Sequence, residues 1–276
     1  MIVIKNVKNM DLENTITCGQ IFRFIKEIDN SFTVILCDRV VNLKYINGEL
    51  YVDSNNEDNL EIVIRNYLDL DRDYLSIIND IKKIDSNLKP ILNNSIGLKF
   101  IKQEPLECIV SYVISQNNSV RNIQNSLNLI SFNYGEKVIF NNKEYYLFPT
   151  LDKLSKINSE EFRECKVGFR DKYLVDIISA INTDMLDINK MYDMDSEYAL
   201  EYLMGFKGIG MKVASCILLF GYHKFDVYPV DTWVKKFMFD NYNIFGEENI
   251  RKYCKEKFGI YSGLVIQYMF NSKRNM

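Results

Sequence analysis

A glycine-rich turn between two apolar segments constrains the fold of this chain more than any other feature. The turn reads Gly-Phe-Lys-Gly-Ile-Gly over residues 205–210, and helical spacing precedes it over 196–204 and follows it over 211–222. Gly208 and Gly210 can adopt positive φ and carry no Cβ to block a close approach. We therefore predict a helix-hairpin-helix unit over about 196–222, whose backbone N–H groups and following helix N-terminus favour a phosphate. A purely structural turn is the alternative.

One lysine lies directly behind this turn. Lys212 falls in the first turn of the second helix, whose other residues are mostly apolar, and it shares a helix face with Ser215 and Cys216. Burial and the positive helix N-terminus would both favour the uncharged amine, which is the nucleophilic form. Such an amine beside a phosphate-binding turn suits imine chemistry on a nucleic acid. Alternatively, Lys212 extends over the apolar surface into solvent.

One aspartate follows at the start of the next helix. Asp231 comes two residues after Pro229 and precedes an amphipathic run that begins at Thr232. This position predicts an N-cap, in which the carboxylate accepts a hydrogen bond from a backbone N–H group of the first turn. The N-cap role alone would account for the residue. The alternative is that the carboxylate acts in the same chemistry as Lys212.

These residues resemble a known family. The runs 205–216 and 227–232 resemble the helix-hairpin-helix, glycine-proline-aspartate superfamily of DNA glycosylases, and within it the 8-oxoguanine DNA glycosylase branch fits best. Further motifs of that branch occur in the family's order, at residues 17–23, 104–118, 148–150 and 168–170, and at Phe270. The resemblance therefore covers the chain from about residue 17 to residue 270.

The resemblance implies a base-excision repair enzyme that acts on 8-oxoguanine in double-stranded DNA, with both N-glycosylase and abasic-site lyase activity. It places the nucleophile at Lys212 and the carboxylate that stabilises charge on the sugar at Asp231. It assigns the pocket for the damaged base, in which the Gly19 carbonyl accepts a hydrogen bond from N7–H of 8-oxoguanine, to Gly19, Gln20, Cys216, Ile266 and Phe270. It assigns the contacts to the duplex to Gly208, Gly210, Asn117, Asn118, Asn122, Phe169 and Arg170.

Several of these residues have simpler interpretations. Cys216 and Phe270 could belong to the hydrophobic core, because free cysteine and phenylalanine are usually buried. Phe169 could cap a small apolar cluster, and the asparagines at 117 and 118 could end the helix predicted over 105–115. The sequence also departs from the family. Asn122 and Ile266 stand where members carry an arginine and a glutamine that read bases.

Composition argues against several other classes of protein. The six cysteines form no Cys-x-x-Cys pair, and the only histidine, His223, is expected in a solvated loop. We therefore expect no metal site, iron–sulfur cluster or other cofactor, although a cation at the backbone carbonyls of the hairpin stays open. No apolar run is long enough to span a membrane, and the amino terminus lacks the form of a signal peptide. We expect an intracellular monomer of the cytoplasm and nucleoid, or of the nucleus in a eukaryote.

The fold class follows from periodicity. Alternating residues and turn signals predict strands near 22–28, 32–37, 40–46 and 49–52, and helical spacing dominates from about Leu60, with one further hairpin at 138–147. We predict an α+β fold: a small antiparallel sheet domain over 1–90, then a mostly helical glycosylase region over 91–276. The net charge of −3 disfavours DNA binding in general, but basic residues outnumber acidic ones after Leu203.

Three other functions stay open on the sequence alone. The chain could be a glycosylase of the same superfamily for another damaged base, although Gly19, Gln20 and Lys212 argue against it. It could be a non-catalytic helix-hairpin-helix module that binds DNA, which would need the hairpin but not Lys212. It could also be a globular protein in which the glycine turn and the lysine are incidental.

Overall fold

A computed structural model describes residues 1–274, which form an antiparallel sheet followed by a helical body. The sheet has the strand order β1-β5-β4-β3-β2, and a separate two-stranded sheet pairs β6 with β7. The strand bounds are Ile2–Ile4 (β1), Phe24–Lys26 (β2), Phe32–Ile35 (β3), Val40–Ile46 (β4), Glu49–Ser54 (β5), Lys137–Phe140 (β6) and Lys143–Tyr146 (β7).

Turn chemistry fixes the register of the sheet. Asn47 and Gly48, both at positive φ, join β4 to β5, so that Ile46 pairs with Glu49. Two residues at positive φ are what a tight hairpin with the natural strand twist requires. Asn141 and Asn142 join β6 to β7 in the same way. The sequence predicted both hairpins and missed β1, whose three residues pair with the distant strand β5.

The chain has helices in both bodies: the first two pack with the sheet, and the later helices build the helical body. Their bounds are Leu12–Thr17 (α1), Leu60–Tyr67 (α2), Tyr74–Ile84 (α3), Lys89–Asn94 (α4), Pro105–Ile114 (α5), Val120–Tyr134 (α6), Leu151–Leu154 (α7), Ser159–Glu164 (α8), Asp171–Asn182 (α9), Ser196–Met204 (α10), Met211–Tyr222 (α11), Thr232–Tyr242 (α12), Glu247–Phe258 (α13) and Ser262–Arg274 (α14). Among residues 1–274, no helix is both long and apolar enough to cross a bilayer.

Helices α5 and α11 form the centre of the helical core. Both are buried along almost their whole length, and the Sγ atom of Cys108 would lie only 3.3 Å from a Cβ added at Gly221. Glycine at 221 therefore allows the two helices to approach closely. Because α11 is anchored in this way, its exposed first turn and the glycine turn before it are held on a rigid support.

The division between the two cores lies earlier than the expected boundary at residue 90. That position falls inside α4, and α3 and α4 contribute Tyr74, Ile78 and Leu92 to the helical core. The core of the sheet runs from β1 to the end of α2 and adds Ile101. Helices α3 and α4 therefore pack with the helical body.

Candidate active site

The two glycines of the hairpin have different roles. Gly208 has φ +92°, and a Cβ added there would lie 2.5 Å from Cγ of Tyr173. Gly210 caps α11 with φ −89°, and an added Cβ would meet no atom within 4 Å. The expectation of positive φ is therefore correct for Gly208 and wrong for Gly210. Gly210 instead leaves open space at the N-terminus of α11, where a backbone phosphate can approach.

Lys212, Cys216 and Asp231 come together at the start of α11. Cys216 lies one turn after Lys212 and is buried, and burial raises the pKa of its thiol to about 12. The charge of Lys212 lowers that pKa and the charge of Asp231 raises it, so both charged groups act on the thiol. The thiol itself is neutral and polarisable at physiological pH.

Lys212 itself is exposed, which agrees with the alternative that its side chain extends into solvent and not with burial by its apolar neighbours. Residues 213–222 are all buried, whereas Lys212 occupies the second position of the helix, where the chain emerges from the core. The amine is accessible to a large substrate but keeps its water in the free protein.

Asp231 is the N-cap of α12, as the sequence predicted. One carboxylate oxygen, Oδ1, accepts a hydrogen bond of 2.7 Å from the backbone N–H of Val234. This bond fixes the position of the half-buried carboxylate beside α11. The capping role and a role in the chemistry are compatible, because the cap positions the charge.

An aromatic ring of the C-terminal helix packs against α12, the helix that Asp231 caps. Phe270, on α14, is half-buried and meets Trp233 of α12 edge to face, with ring centroids 6.2 Å apart. This contact holds the Phe270 ring at the junction of the two helices. Ile266, one turn earlier on α14, is 2% exposed and packs in the helical core, as the 6% exposed Cys216 does, so its place in the base pocket stays a prediction.

The segment around Gly19 is held by buried hydrogen bonds. Gly19 has φ +92°. Gln20 is completely buried, and its side chain donates to the Lys99 carbonyl (2.8 Å) and accepts from the Ile101 N–H (2.8 Å). The amide of Gln20 is therefore engaged inside the protein and holds the segment next to Gly19, and its place in the base pocket stays a prediction.

Tyr112 of α5 links this segment to the catalytic helix. Its hydroxyl donates to the Gln20 carbonyl (3.0 Å), and burial, together with the nearby thiols of Cys216, Cys108 and Cys18, raises its pKa well above the usual value. Tyr112 also stacks on Phe220 of α11, with ring centroids 5.6 Å apart. One tyrosine therefore connects the Gly19 segment to the helix that carries Lys212 and Cys216.

In the asparagine turn after α5, one side chain is exposed and the other is engaged in hydrogen bonds with the backbone. Asn117 is exposed at φ +47°. The amide of Asn118 donates to the Ile114 carbonyl (3.1 Å) and accepts from the Ser119 N–H (3.0 Å), which agrees with the helix-ending interpretation. Asn122 is exposed in the first turn of α6. Of these three asparagines, Asn117 and Asn122 present side chains that are available to a duplex.

The Gly-Phe-Arg turn likewise divides into an exposed and a buried residue. Phe169 is 58% exposed and meets Tyr173 edge to face. Arg170 is buried, and its guanidinium donates to the carbonyls of Gln116 (Nε, 2.9 Å), Asn117 (Nη2, 3.1 Å) and Val167 (Nη1, 2.9 Å). The expectation that Arg170 contacts a base edge is therefore wrong for this arrangement, because its donors hold the neighbouring turns.

Sequence analysis missed Gln116, which joins two of the exposed turns. Its side-chain N–H₂ donates to the Gly208 carbonyl at 2.8 Å. Arg170 holds the carbonyl of the same residue. The hairpin, the asparagine turn and the Phe169 turn are therefore one connected surface. No local signal marks Gln116, since its partner lies 92 residues away.

His223 is buried, not solvated as expected. It ends α11 at φ +55°, and burial lowers the pKa of its imidazole to about 4, against the opposing effect of Asp69. A histidine that stays neutral at physiological pH fits a structural role. Within residues 1–274 no group of three or more metal-binding side chains is assembled, and the six cysteines are free thiols.

Comparisons with known proteins agree with this geometry. Residues 2–109 match the family model described as the N-terminal domain of 8-oxoguanine DNA glycosylase. A Clostridium acetobutylicum 8-oxoguanine glycosylase/lyase, solved with DNA that carries cytosine opposite 8-oxoguanine, superimposes with a TM-score of 0.94 and 35% identity over 99% of this chain and 94% of that one. A probable N-glycosylase/DNA lyase of Methanothermobacter thermautotrophicus is 30% identical over 69% of this chain and 68% of its own length. The N-glycosylase/DNA lyase of Saccharomyces cerevisiae is 25% identical over 92% of this chain and 74% of its own length.

Proposed function

The chain belongs to the 8-oxoguanine DNA glycosylase family of N-glycosylase/DNA lyases, and we propose that it excises 8-oxoguanine from duplex DNA and then cleaves the strand through an imine on Lys212. The observation that carries the residue assignment is the exposed Lys212 in the first turn of α11, next to an open helix N-terminus, together with the capped Asp231, whose charge acts on the same thiol, Cys216, as the charge of Lys212. An exposed amine, a fixed carboxylate and a phosphate-binding turn are the parts that this reaction needs.

Binding begins at the connected surface of the three turns. Backbone N–H groups at Gly210 and the N-terminus of α11 would hold a phosphate, which positions the duplex without reading its sequence. The exposed Phe169 ring would enter the stack where the damaged nucleotide leaves it. Extrusion of a nucleotide costs a few kcal/mol, and it costs least for a base that is badly paired.

The extruded base would then lie between Cys216 and Phe270. A neutral thiol on one side and an aromatic ring on the other suit the two faces of a purine. The carbonyl of Gly19 would accept the hydrogen bond from N7–H, which 8-oxoguanine has and guanine lacks. The buried contacts of Gln20 and Tyr112 support this assignment, because they hold the segment in one position.

The chemistry would start at the Lys212 amine. A bound duplex would cover the exposed Lys212 and bring its amine close to the sugar, where the uncharged amine is the nucleophile. The amine nitrogen bonds to C1′ as the bond to the base breaks, and the base leaves with the bonding electrons and takes up a proton. Asp231 stabilises the positive charge that builds on the sugar. Opening of the sugar ring gives the imine, and loss of a C2′ proton then expels the 3′ phosphate.

Borohydride trapping tests this proposal directly, because reduction converts a protein–DNA imine to a stable amine. We expect a covalent adduct on a duplex with one 8-oxoguanine and none on the same duplex with guanine. Lys212→Gln should abolish the adduct. Lys207→Gln is the matched control, since Lys207 is an exposed lysine of the same hairpin.

The possible results separate the remaining functions. An adduct that persists in Lys212→Gln would refute the assignment of the nucleophile. Base release without any adduct would mean an enzyme that uses water in place of an amine. Binding of the duplex with neither base release nor adduct would indicate a DNA-binding module or a different lesion.

A further inference from the structure

We propose that Gln267 is a positioning residue that aims the Gly19 carbonyl and so sets the efficiency with which the damaged base is selected. The inference rests on the proposed function, in which Gly19 tests the base. Gln267 lies on α14 and is 5% exposed, and its side-chain N–H₂ donates to the Cys18 carbonyl at 3.3 Å. The bond joins residues that are 249 positions apart in the chain.

The position of Gln267 connects the two sides of the base pocket. Phe270, proposed to face one side of the base, follows Gln267 by three residues on α14, so the two residues lie on neighbouring parts of one helix surface. Gln267 reaches from that helix to the peptide that precedes Gly19. A single side chain therefore ties the proposed aromatic wall to the proposed recognition segment.

Gly19 needs such support from both sides. Glycine restricts its own φ and ψ less than any other residue, so the direction of its carbonyl depends on how the adjoining peptides are held. On the following side, the Gln20 carbonyl accepts hydrogen bonds from the side chain of Gln103 (2.8 Å) and from Tyr112 (3.0 Å). On the preceding side, Gln267 holds the Cys18 carbonyl. Rotation of the 18–19 peptide would change φ of Gly19 and turn its carbonyl.

Loss of this support should affect recognition of the base and spare the later chemistry. Strand cleavage at an existing abasic site needs DNA binding, Lys212 and the sugar, but no base to be read. Excision of 8-oxoguanine needs all of these and the aimed carbonyl as well. A residue that only stabilises the fold would reduce both reactions together.

The test compares these two reactions in single-turnover assays. Gln267→Met keeps the length of the side chain and removes its donor. We expect it to excise 8-oxoguanine about tenfold more slowly than the wild type, a factor equal to about 1.4 kcal/mol, and to cleave a preformed abasic duplex at the wild-type rate. Tyr268→Phe is the matched control, because Tyr268 is the next residue of the helix, is fully buried and has a hydroxyl without a hydrogen-bond partner. It should leave both rates unchanged.

A second variant keeps the test decisive if Gln267→Met does not fold. Gln267→Asn retains the amide but is one methylene shorter, so it should lose the Cys18 contact and show the same selective loss. Equal losses in both reactions, an unchanged excision rate, or unfolding of both variants at the assay temperature would overturn the inference. Failure of the wild type to excise 8-oxoguanine would instead refute the proposed function.

Discussion

Alanine substitutions at the two hairpin glycines should have opposite consequences. At Gly208 an alanine would have to adopt φ +92° and place its Cβ 2.5 Å from the ring of Tyr173. An unfavourable backbone conformation costs about 1–3 kcal/mol, and overpacking in a well-packed region costs about 1–3 kcal/mol more. Against this, alanine lowers the entropy of the unfolded chain, which contributes roughly 0.4–1 kcal/mol of stability. The expected net loss for Gly208→Ala is therefore roughly 1–6 kcal/mol.

At Gly210 the fold should tolerate alanine. Its φ of −89° suits any residue, and no atom lies within 4 Å of the added Cβ. Only the weaker capping by alanine remains, at about 0.5 kcal/mol. The new methyl group would, however, occupy the open space at the N-terminus of α11. If a phosphate approaches there, Gly210→Ala should weaken binding of a duplex by roughly tenfold, the factor that corresponds to ~1.4 kcal/mol.

Gly48→Ala provides the control that separates the two costs at Gly208. Gly48 has φ +87° in the β4–β5 turn, but a Cβ there would meet nothing within 4 Å. It should therefore show the backbone cost without the contact with a tyrosine ring. The difference between the two variants measures the steric contribution.

Urea unfolding and fluorescence anisotropy with a labelled duplex, at two salt concentrations, would measure both properties. A Gly208→Ala protein no less stable than Gly48→Ala would refute the steric argument. A Gly210→Ala protein that binds the duplex like the wild type, with the same salt dependence, would refute the approach of a phosphate to this turn.

Three further predictions address the carboxylate, the histidine and the exposed ring. Asparagine should still cap α12, so the unfolding free energy of Asp231→Asn should stay within a few tenths of a kcal/mol of the wild-type value. Its single-turnover excision rate should fall roughly 10²–10³-fold. A loss of activity that is accounted for by loss of folded protein would leave only the capping role. The pKa of His223 is about 4 in the folded protein and about 6.5 in the unfolded chain, so the unfolded state binds more protons between these values. The contribution of neutral His223 to the unfolding free energy should thus be fully present above pH 6.5 and fall by about 3 kcal/mol toward pH 4. Urea unfolding of the wild type should show this loss, and urea unfolding of His223→Phe should not. Phe169→Ala should leave the melting temperature unchanged, because the ring is 58% exposed. It should slow excision less when 8-oxoguanine is mispaired than when it faces cytosine, because a badly paired base costs less to extrude. Equal slowing on both duplexes would refute the proposal that the ring enters the base stack.

Local sequence patterns predicted most of the elements because their signals repeat every two or every 3.6 residues. The β4–β5 hairpin, the helices on both sides of the glycine turn and the cap at Asp231 all follow from residues close in sequence. Strand β1 gives no such signal, since it has three residues and exists only through pairing with β5. The division between the two cores after α2 could not be predicted either. Helical spacing continues through α3 and α4, but these helices pack with the helical body and α2 packs with the sheet.

The distance in sequence between a residue and its partners also decides which structural roles near the site could be predicted. Gly208 and Asp231 have structural positions that their neighbours in the sequence dictate. Gln20 and Arg170 lie in motifs beside the site, yet both use their polar groups on carbonyls or N–H groups more than 50 residues away. A sequence pattern shows that a polar residue is required at such a position. It does not show whether the residue faces the ligand or holds the segment that does.

There is a physical reason why this protein has buried polar residues that hold the segments next to its site. Several of the groups proposed to meet DNA, namely backbone atoms of Gly19 and Gly210 and the exposed ring of Phe169, cannot fix their own position. Backbone carbonyls and N–H groups at flexible glycines bind weakly unless their orientation is restrained before the ligand arrives. Buried polar side chains supply that restraint here, with Gln20 and Gln267 around Gly19 and with Gln116 and Arg170 around the exposed turns. Polar residues next to the site are therefore required even where they never touch the substrate, and their loss should reduce recognition before it reduces stability.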